Sequence, residues 1–116
     1  MSWTVEYYKD TKGYEPVASF IDSMPEESQS ILLRTVDLLS KYGVLLKEPY
    51  TRQVKGKIRE LRIKGARGAN RILYFTFTGK RFILLHGFLK KTDKTPPGEI
   101  AIAEKRMNDF IDRQGG

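Results

Sequence analysis

The stretch Lys57–Leu89, KIRELRIKGARGANRILYFTFTGKRFILLHGFL, decides the fold of this chain. Three runs within it are rich in β-branched and aromatic residues, which predicts strands over 57–64, 70–78 and 80–89. The connections between them are too short for a parallel crossover, so the neighbouring strands are predicted to be antiparallel. The third strand is apolar at both parities, which predicts that it is covered on both faces.

The residues before this stretch predict one further strand and a short helix. Trp3, Val5 and Tyr7 alternate with more polar residues, the pattern of a half-buried strand. Residues 14–21 then predict a short helix, with Pro16 in its first turn, where a missing N–H costs nothing.

A second, longer helix is predicted to follow directly. Ser23 and Glu26 have the spacing of a capping box, and Gly43 is predicted to end the helix. Residues 44–52 contain Pro49 and show no clean period, so they are predicted to form a loop. The apolar stripe of the helix comprises Ile31, Leu32, Thr35, Val36, Leu39 and Tyr42.

The residues after the stretch predict a C-terminal helix, capped by Thr95 and with Pro96 at its first position. The resulting order β-α-α-β-β-β-α describes an α+β fold over one domain, residues 1–116. We expect a small antiparallel sheet with the two N-terminal helices packed on one face, a C-terminal helix, and a basic opposite face. The C-terminal apolar stripe comprises Ile100, Ala103, Met107, Phe110 and Ile111.

The net charge of +7 is concentrated in one block of the chain. Residues 51–95 hold thirteen Lys/Arg and two Asp/Glu, a balance of +11, whereas residues 1–50 balance to −3 and residues 96–116 to −1. Contact with a polyanion is the commonest reason for such a block, so we predict nucleic-acid binding over a merely solvated face.

Composition also excludes several classes of protein. Forty per cent hydrophobic residues support a packed core rather than disorder. The chain has no cysteine and one histidine, which argues against a disulfide scaffold and against a Cys- or His-built metal site. We find no apolar run long enough to span a bilayer and no signal-peptide pattern, so we expect a cytoplasmic protein without membrane contact.

Several short strings, taken in their order, resemble RelE/HigB-type toxins of toxin–antitoxin modules. They are GKIRELRI at 56–63, NRILYF at 70–75 and HGFLKKT at 86–92. The resemblance covers nearly the whole chain and is greatest to the phage-derived, HigB-like branch of the RelE/ParE superfamily, through Pro49-Tyr50, the run Lys94-Thr95-Pro96 and Arg106-Met107.

The resemblance implies a RelE-like fold and an endoribonuclease, an mRNA interferase that cleaves mRNA in the ribosomal A site through attack of the ribose 2′-OH. It implies no metal and no other cofactor. It also implies three partners: the ribosome, its mRNA and a cognate antitoxin, often of the helix-turn-helix type in this branch.

Four residues are candidates for the chemistry, and each has a structural alternative. Arg71 matches the family's strand arginine and suits bidentate phosphate contact, but it could also be a strand-end arginine lying over Tyr74. Arg62 has the parity of Glu60 and could clamp the RNA backbone or form a cross-strand salt bridge.

Lys91 is our preferred group for proton transfer, because the resemblance places a catalytic cation after the third sheet strand. The alternative is a loop that only binds phosphates. His86 shares parity with Phe82 and Leu84, so the only imidazole is either an acid or base, or a hydrogen-bonded core residue.

Eight further residues are predicted to bind RNA. Tyr74 could stack on a base or pack in the core, and the family's two strand lysines and late tyrosine are missing here. Two other functions stay open: a ParE-like inhibitor of DNA gyrase and a nonenzymatic nucleic-acid-binding module. The predicted RNA-binding residues are Lys55, Lys57, Arg59, Lys64, Arg67, Tyr74, Lys90 and Lys94.

Overall fold

The structure, a computed structural model, describes residues 2–65, 68–91 and 94–115. They form the α+β fold that the sequence predicts, with one strand more than expected. In the described part of the chain, no helix has an apolar run long enough to cross a membrane. The elements are β1 (Thr4–Tyr7), α1 (Pro16–Asp22), α2 (Glu26–Tyr42), a 3-10 turn (Gly43–Leu45), β2 (Thr51–Lys55), β3 (Ile58–Gly65), β4 (Gly68–Phe77), β5 (Arg81–Lys90) and α3 (Pro97–Gly115).

All five strands form one sheet in the order β1-β5-β4-β3-β2. The pairs from β2 to β5 are antiparallel, as predicted, but β1 runs parallel to β5, so the sheet is mixed. A parallel pair needs a long connection, and all the elements between β1 and β5 supply it. The position of β5 between β1 and β4, with both faces covered, confirms the prediction from its apolar pattern.

The additional strand is β2, which lies at the edge of the sheet where the sequence predicted a loop through Arg52. Its sequence, TRQVK, alternates poorly, and the pairing with β3 is irregular between Gln53 and Lys55. The Thr51 hydroxyl at its start donates to the carbonyl of Leu46 in the preceding segment over 2.6 Å. Local pattern alone therefore could not reveal this strand.

Helices α1 and α2 pack on one face of the sheet, as predicted, and their core there is apolar. Gly87 on β5 shows how closely α1 approaches, since a Cβ at this position would lie 2.3 Å from the ring of Phe20. The buried members of this first core are Val17, Met24, Leu32, Leu39, Leu46, Leu61, Ile63, Ile72, Tyr74, Phe82 and Leu84.

The prediction of a basic face opposite α1 and α2 is wrong where β4 and β5 lie. Helix α3 packs on β5 and β4 from the side opposite α1 and α2, and buries a second apolar core there. The cause is visible in β4 and β5, which carry large apolar side chains on both faces and so require a cover on each. This second core comprises Tyr8, Ile58, Leu73, Phe75, Ile83, Leu85, Phe88, Ala103 and Phe110.

Two predicted helix caps are also wrong. The Ser23 hydroxyl donates to the carbonyl of Phe20 over 2.6 Å and closes α1, whereas α2 begins after Pro25 without a side-chain cap. The Thr95 hydroxyl donates to Glu60, and α3 begins at Pro97. In both cases the hydroxyl makes a contact other than the predicted cap.

A bulge in β5 overturns the predicted parity of His86. The β4–β5 register shifts between Leu73 and Tyr74, so that Leu73 pairs with His86 and Tyr74 pairs with Leu84. As a result Leu84 faces α1 and α2, whereas His86 contacts α3. An extra residue in one strand reverses the side-chain alternation beyond it.

Candidate nucleic-acid interface

A cluster of charged side chains lies on the α3 face of the sheet, near the start of α3. Glu60 on β3 is at its centre and is fully buried. Its Oε1 accepts hydrogen bonds from Arg71 Nε on β4, at 3.0 Å, and from Lys90 Nζ on β5, at 3.4 Å. Its Oε2 accepts a hydrogen bond from the hydroxyl of Thr95, at 2.5 Å. One carboxylate thus joins three neighbouring strands to the segment that precedes α3.

Strand register explains why these side chains meet. Glu60 pairs with Leu73 and Arg62 pairs with Arg71, so the Glu60 carboxylate is the diagonal neighbour of Arg71 on the same face. Two arginines directly opposite each other repel, and Glu60 offsets that repulsion. The predicted parity of Arg62, opposite Leu61 and Ile63, agrees with this arrangement.

The cluster holds more positive than negative charge. Burial lowers the pKa of Arg71 below its ordinary value, the Glu60 carboxylate opposes that shift, and the charges of Arg62 and Arg52 lower it further. Within the described residues, Arg62 Nε is buried without a hydrogen-bond acceptor. Arg52, Arg62, Arg71 and Lys90 together outweigh the single carboxylate, so the site attracts anions.

A cleft of about 240 Å³ adjoins the cluster, between β2 and the start of α3. Lys90 connects the two, because it contacts Glu60 and also lines the cleft. Lys91 follows directly after β5 and is exposed. Polar and apolar residues line the cleft: Arg52, Gln53, Val54, Lys90, Lys94, Thr95 and Ile100.

His86 lies on the same face but in a network of its own beneath α3. Its Nδ1 is 3.2 Å from Arg106 Nη1 and its Nε2 is 2.7 Å from Glu99 Oε1. An arginine can only donate, so Nδ1 is the acceptor and Nε2–H donates to Glu99. The ring also stacks on Phe88, with centroids 5.7 Å apart. These contacts are those of the hydrogen-bonded core histidine that the sequence left as one alternative.

Tyr74 lies in the first core with only 1% of its surface exposed, and its ring packs edge-on against Phe82. Burial raises its pKa above the ordinary value for tyrosine. The ring is therefore not available to stack on a base, and the packing alternative holds. Its neighbour Arg59 donates from Nη2 to the Thr51 hydroxyl over 2.9 Å, on the same side of the sheet.

Three further predicted contacts, Lys55, Lys57 and Arg59, lie away from the cluster. Lys55 pairs with Glu104 of α3 at 3.3 Å, and Lys57 and Arg59 line a separate cleft of about 400 Å³. Arg67 lies outside the described residues, and Lys64 is described only as a backbone position in β3. In the described part of the chain, no three acidic or histidine side chains are grouped to hold a metal ion.

Sequence reasoning missed Glu60, Arg52 and Thr95 as members of the site. A signal for Glu60 was present, because it is one of two acidic residues within the +11 block and has the parity of Arg62. No comparable signal marked Arg52, since β2 was not recognised as a strand.

A family model described as "Phage derived protein Gp49-like (DUF891)" matches residues 19–108. The chain is a member of this Gp49-like family. That result confirms the predicted resemblance to the phage-derived branch. Among curated proteins, none matches the Gp49-like chain significantly.

A solved structure supports the fold of the Gp49-like chain. The archaeal RelE–RelB complex from Pyrococcus horikoshii OT3 contains a chain that matches with a TM-score of 0.50 and 18% identity, over 77% of this chain and 96% of the archaeal one. The RelE-like fold predicted from the sequence is thereby confirmed.

Proposed function

We propose that this protein is the toxin of a toxin–antitoxin module and a ribosome-dependent endoribonuclease that cleaves mRNA in the A site without a metal ion. The observation that carries the proposal is the surplus of cations around Glu60, held in place by three neighbouring strands. The Gp49-like family membership and the RelE-like fold support it.

The proposed reaction is a transesterification within the RNA. The ribose 2′-oxygen loses its proton and attacks the adjacent phosphorus, the bond from phosphorus to O5′ breaks, and O5′ takes up a proton. The products are a 2′,3′-cyclic phosphate and a 5′-hydroxyl. Negative charge on the phosphate rises in the transition state, so cations already fixed in position lower the barrier.

Arg71 and Lys90 suit that electrostatic role, because Glu60 holds both at the floor of the cluster. Arg62 and Lys91, which are more exposed, are suited to contacting the RNA backbone, and Lys91 remains our candidate for proton transfer. His86 contributes to the reaction only if its bonds to Glu99 and Arg106 open.

We also propose an antitoxin partner, expected to be a helix-turn-helix protein. The archaeal chain with the same fold is part of a RelE–RelB complex, which supports such a partner here. The basic cluster of the present chain would then bind RNA when the antitoxin is absent.

Primer extension on transcripts from cells in which the protein is induced tests the proposal. The unsubstituted chain should produce new cleavage sites within translated codons. Arg71→Ala and Lys91→Ala should abolish them, and Lys12→Ala, an exposed lysine far along the chain from the cluster, should not. Intact transcripts with inhibited gyrase supercoiling would instead identify a gyrase inhibitor. Salt-dependent RNA binding without growth arrest would identify a nonenzymatic binding module.

A further inference from the structure

Glu60 is a buried charge in the middle of a cationic site, and such a charge needs an explanation. Its side chain is 0% exposed, and a carboxylate without partners at this depth would be strongly destabilising. The basic block that surrounds it would attract RNA more strongly without it. Glu60 therefore serves a purpose other than the affinity of the site for a polyanion.

The two carboxylate oxygens of Glu60 contact different parts of the fold. Oε1 accepts from Arg71 and from Lys90, which lie on two adjacent strands. Oε2 accepts from Thr95, in the segment that leads into α3. Arg71 is held a second time, because its Nη1 donates to the carbonyl of Asn70 over 3.0 Å. The carboxylate thus fixes both the floor of the cluster and one wall of the adjoining cleft.

These contacts argue against Glu60 as the group that accepts the ribose proton. Both oxygens already accept hydrogen bonds, and no part of the side chain reaches solvent. A general base must come within hydrogen-bond distance of the proton that it removes. Glu60 could do so only if Arg71, Lys90 and Thr95 moved away.

We infer that Glu60 is a positioning residue: it holds Arg71 and Lys90 in the geometry that cleavage requires, and ties the start of α3 to the same point. The inference rests on the proposed ribonuclease function and deepens it. Cations that bind RNA need only be nearby, whereas cations that stabilise a transition state must be placed to within a fraction of an ångström. Glu60 lowers the net positive charge of the site, but it also fixes the positions of Arg71 and Lys90.

The chain contains a matched control for this carboxylate. Glu6 on β1 pairs with Arg81 on β5 through two hydrogen bonds, at 2.5 and 2.8 Å. It is likewise a strand glutamate bound to an arginine of the same sheet, but β5 and β4 lie between its strand and β3. Glu6→Gln therefore removes the charge of a strand carboxylate paired with an arginine, at a partly exposed position, without touching the cluster.

The decisive experiment compares Glu60→Gln with Glu6→Gln in two measurements. For Glu60→Gln, the affinity for a short single-stranded RNA should stay within about threefold of the original or become tighter, because a negative charge is lost. Its kcat on ribosome-bound mRNA should fall about 10- to 100-fold, because Arg71 and Lys90 lose their alignment. Glu6→Gln should leave both values unchanged.

The pH profile of kcat separates positioning from proton transfer. If Glu60 were the base, Glu60→Gln would remove the acidic limb of the profile; a positioning residue leaves the limbs in place and lowers the plateau. Loss of the acidic limb, or a kcat equal to that of the original chain, would overturn the inference. Failure of the unsubstituted chain to cleave would overturn the proposed function and this inference together.

A substitution at Thr95 tests the same inference if Glu60→Gln does not fold. Thr95→Val keeps the shape and every charge but removes the hydroxyl that donates to Oε2. It should lower kcat while the dependence of RNA affinity on salt stays the same, and Thr95→Ser should restore kcat. Equal activity in the valine and serine variants would contradict the inference.

Discussion

The two faces of the sheet are built from the same strands but carry different side chains. The face under α1 and α2 is apolar across β3, β4 and β5. The face under α3 is apolar only over part of its area and then changes to Glu60, Arg71 and Lys90, which are buried as well. Ion pairs at such depth are weak evidence for stability, because desolvation offsets their attraction. We therefore propose that the two apolar cores hold the fold together and that the charged part of the α3 face serves the proposed function at some cost in stability.

The largest effect on stability is expected from the apolar face. Phe82 is 1% exposed, stacks on Trp3 with centroids 4.8 Å apart and contacts Tyr74 edge-on. Phe82→Ala should lower the free energy of unfolding by about 3–5 kcal/mol through lost burial and the cavity left behind. Urea unfolding measures this change. Leu45→Ala, at a side chain that is 76% exposed, is the control and should change the value by less than about 0.5 kcal/mol.

The charged region should respond in the opposite way when its charges are removed together. Replacing Glu60 by Met, Arg71 by Leu and Lys90 by Met leaves no unpaired buried charge among the three. We expect the free energy of unfolding to stay the same or to rise by up to about 4 kcal/mol, as apolar packing replaces a buried ionic cluster.

The same triple variant should have no cleavage activity, which primer extension on induced cells would measure. A large loss of stability in urea unfolding would contradict the division between the two faces. It would show that the charged cluster, and not only the apolar cores, holds the sheet together.

Replacing Arg62, at the edge of the cluster, is expected to change stability little and to affect the salt dependence of RNA binding. Its Nε is buried without an acceptor among the described residues, so Arg62→Met should alter the free energy of unfolding by less than about 1 kcal/mol. If Arg62 contacts one phosphate, the slope of log affinity for single-stranded RNA against log salt should become shallower by about 0.7. Fluorescence anisotropy over a range of salt concentrations measures the slope, and an unchanged slope would remove Arg62 from the interface.

The smallest effect is expected at the pair between Glu6 and Arg81, away from the cluster. The hydrogen-bonded Arg81 guanidinium holds the pKa of Glu6 below its ordinary value of 4.5, although partial burial acts in the opposite direction. The unfolded chain therefore takes up this proton at higher pH than the folded chain, so the pair stabilises the fold at neutral pH. That contribution is lost as the pH falls below 4.5.

Both side chains of this pair are partly exposed, so the contribution should be less than about 1 kcal/mol. Unfolding measured between neutral and acidic pH should show it as a slope that is shallower in Glu6→Gln. An identical pH dependence in the two proteins would mean that the pair contributes nothing.

Periodicity in the sequence located the main strands and helices because those elements bury apolar side chains at a regular spacing. The predicted strands over 57–64, 70–78 and 80–89 correspond to β3, β4 and β5 within a few residues. By contrast, β2 depends on its pairing with β3, and the parity of His86 depends on a bulge. Neither leaves a repeat in the sequence that a local pattern could reveal.

The sequence by itself determined the α+β class, the two-sided burial of β5 and the concentration of positive charge in residues 51–95. Only the tertiary structure decided that α3 covers the second face and that Glu60 lies within hydrogen-bond distance of Arg71, Lys90 and Thr95. The physical reason is that apolar spacing and charge are properties of consecutive residues. Strand register brings Lys90 to Glu60, 30 positions apart along the chain, and Arg81 to Glu6, 75 positions apart, and no local pattern records it.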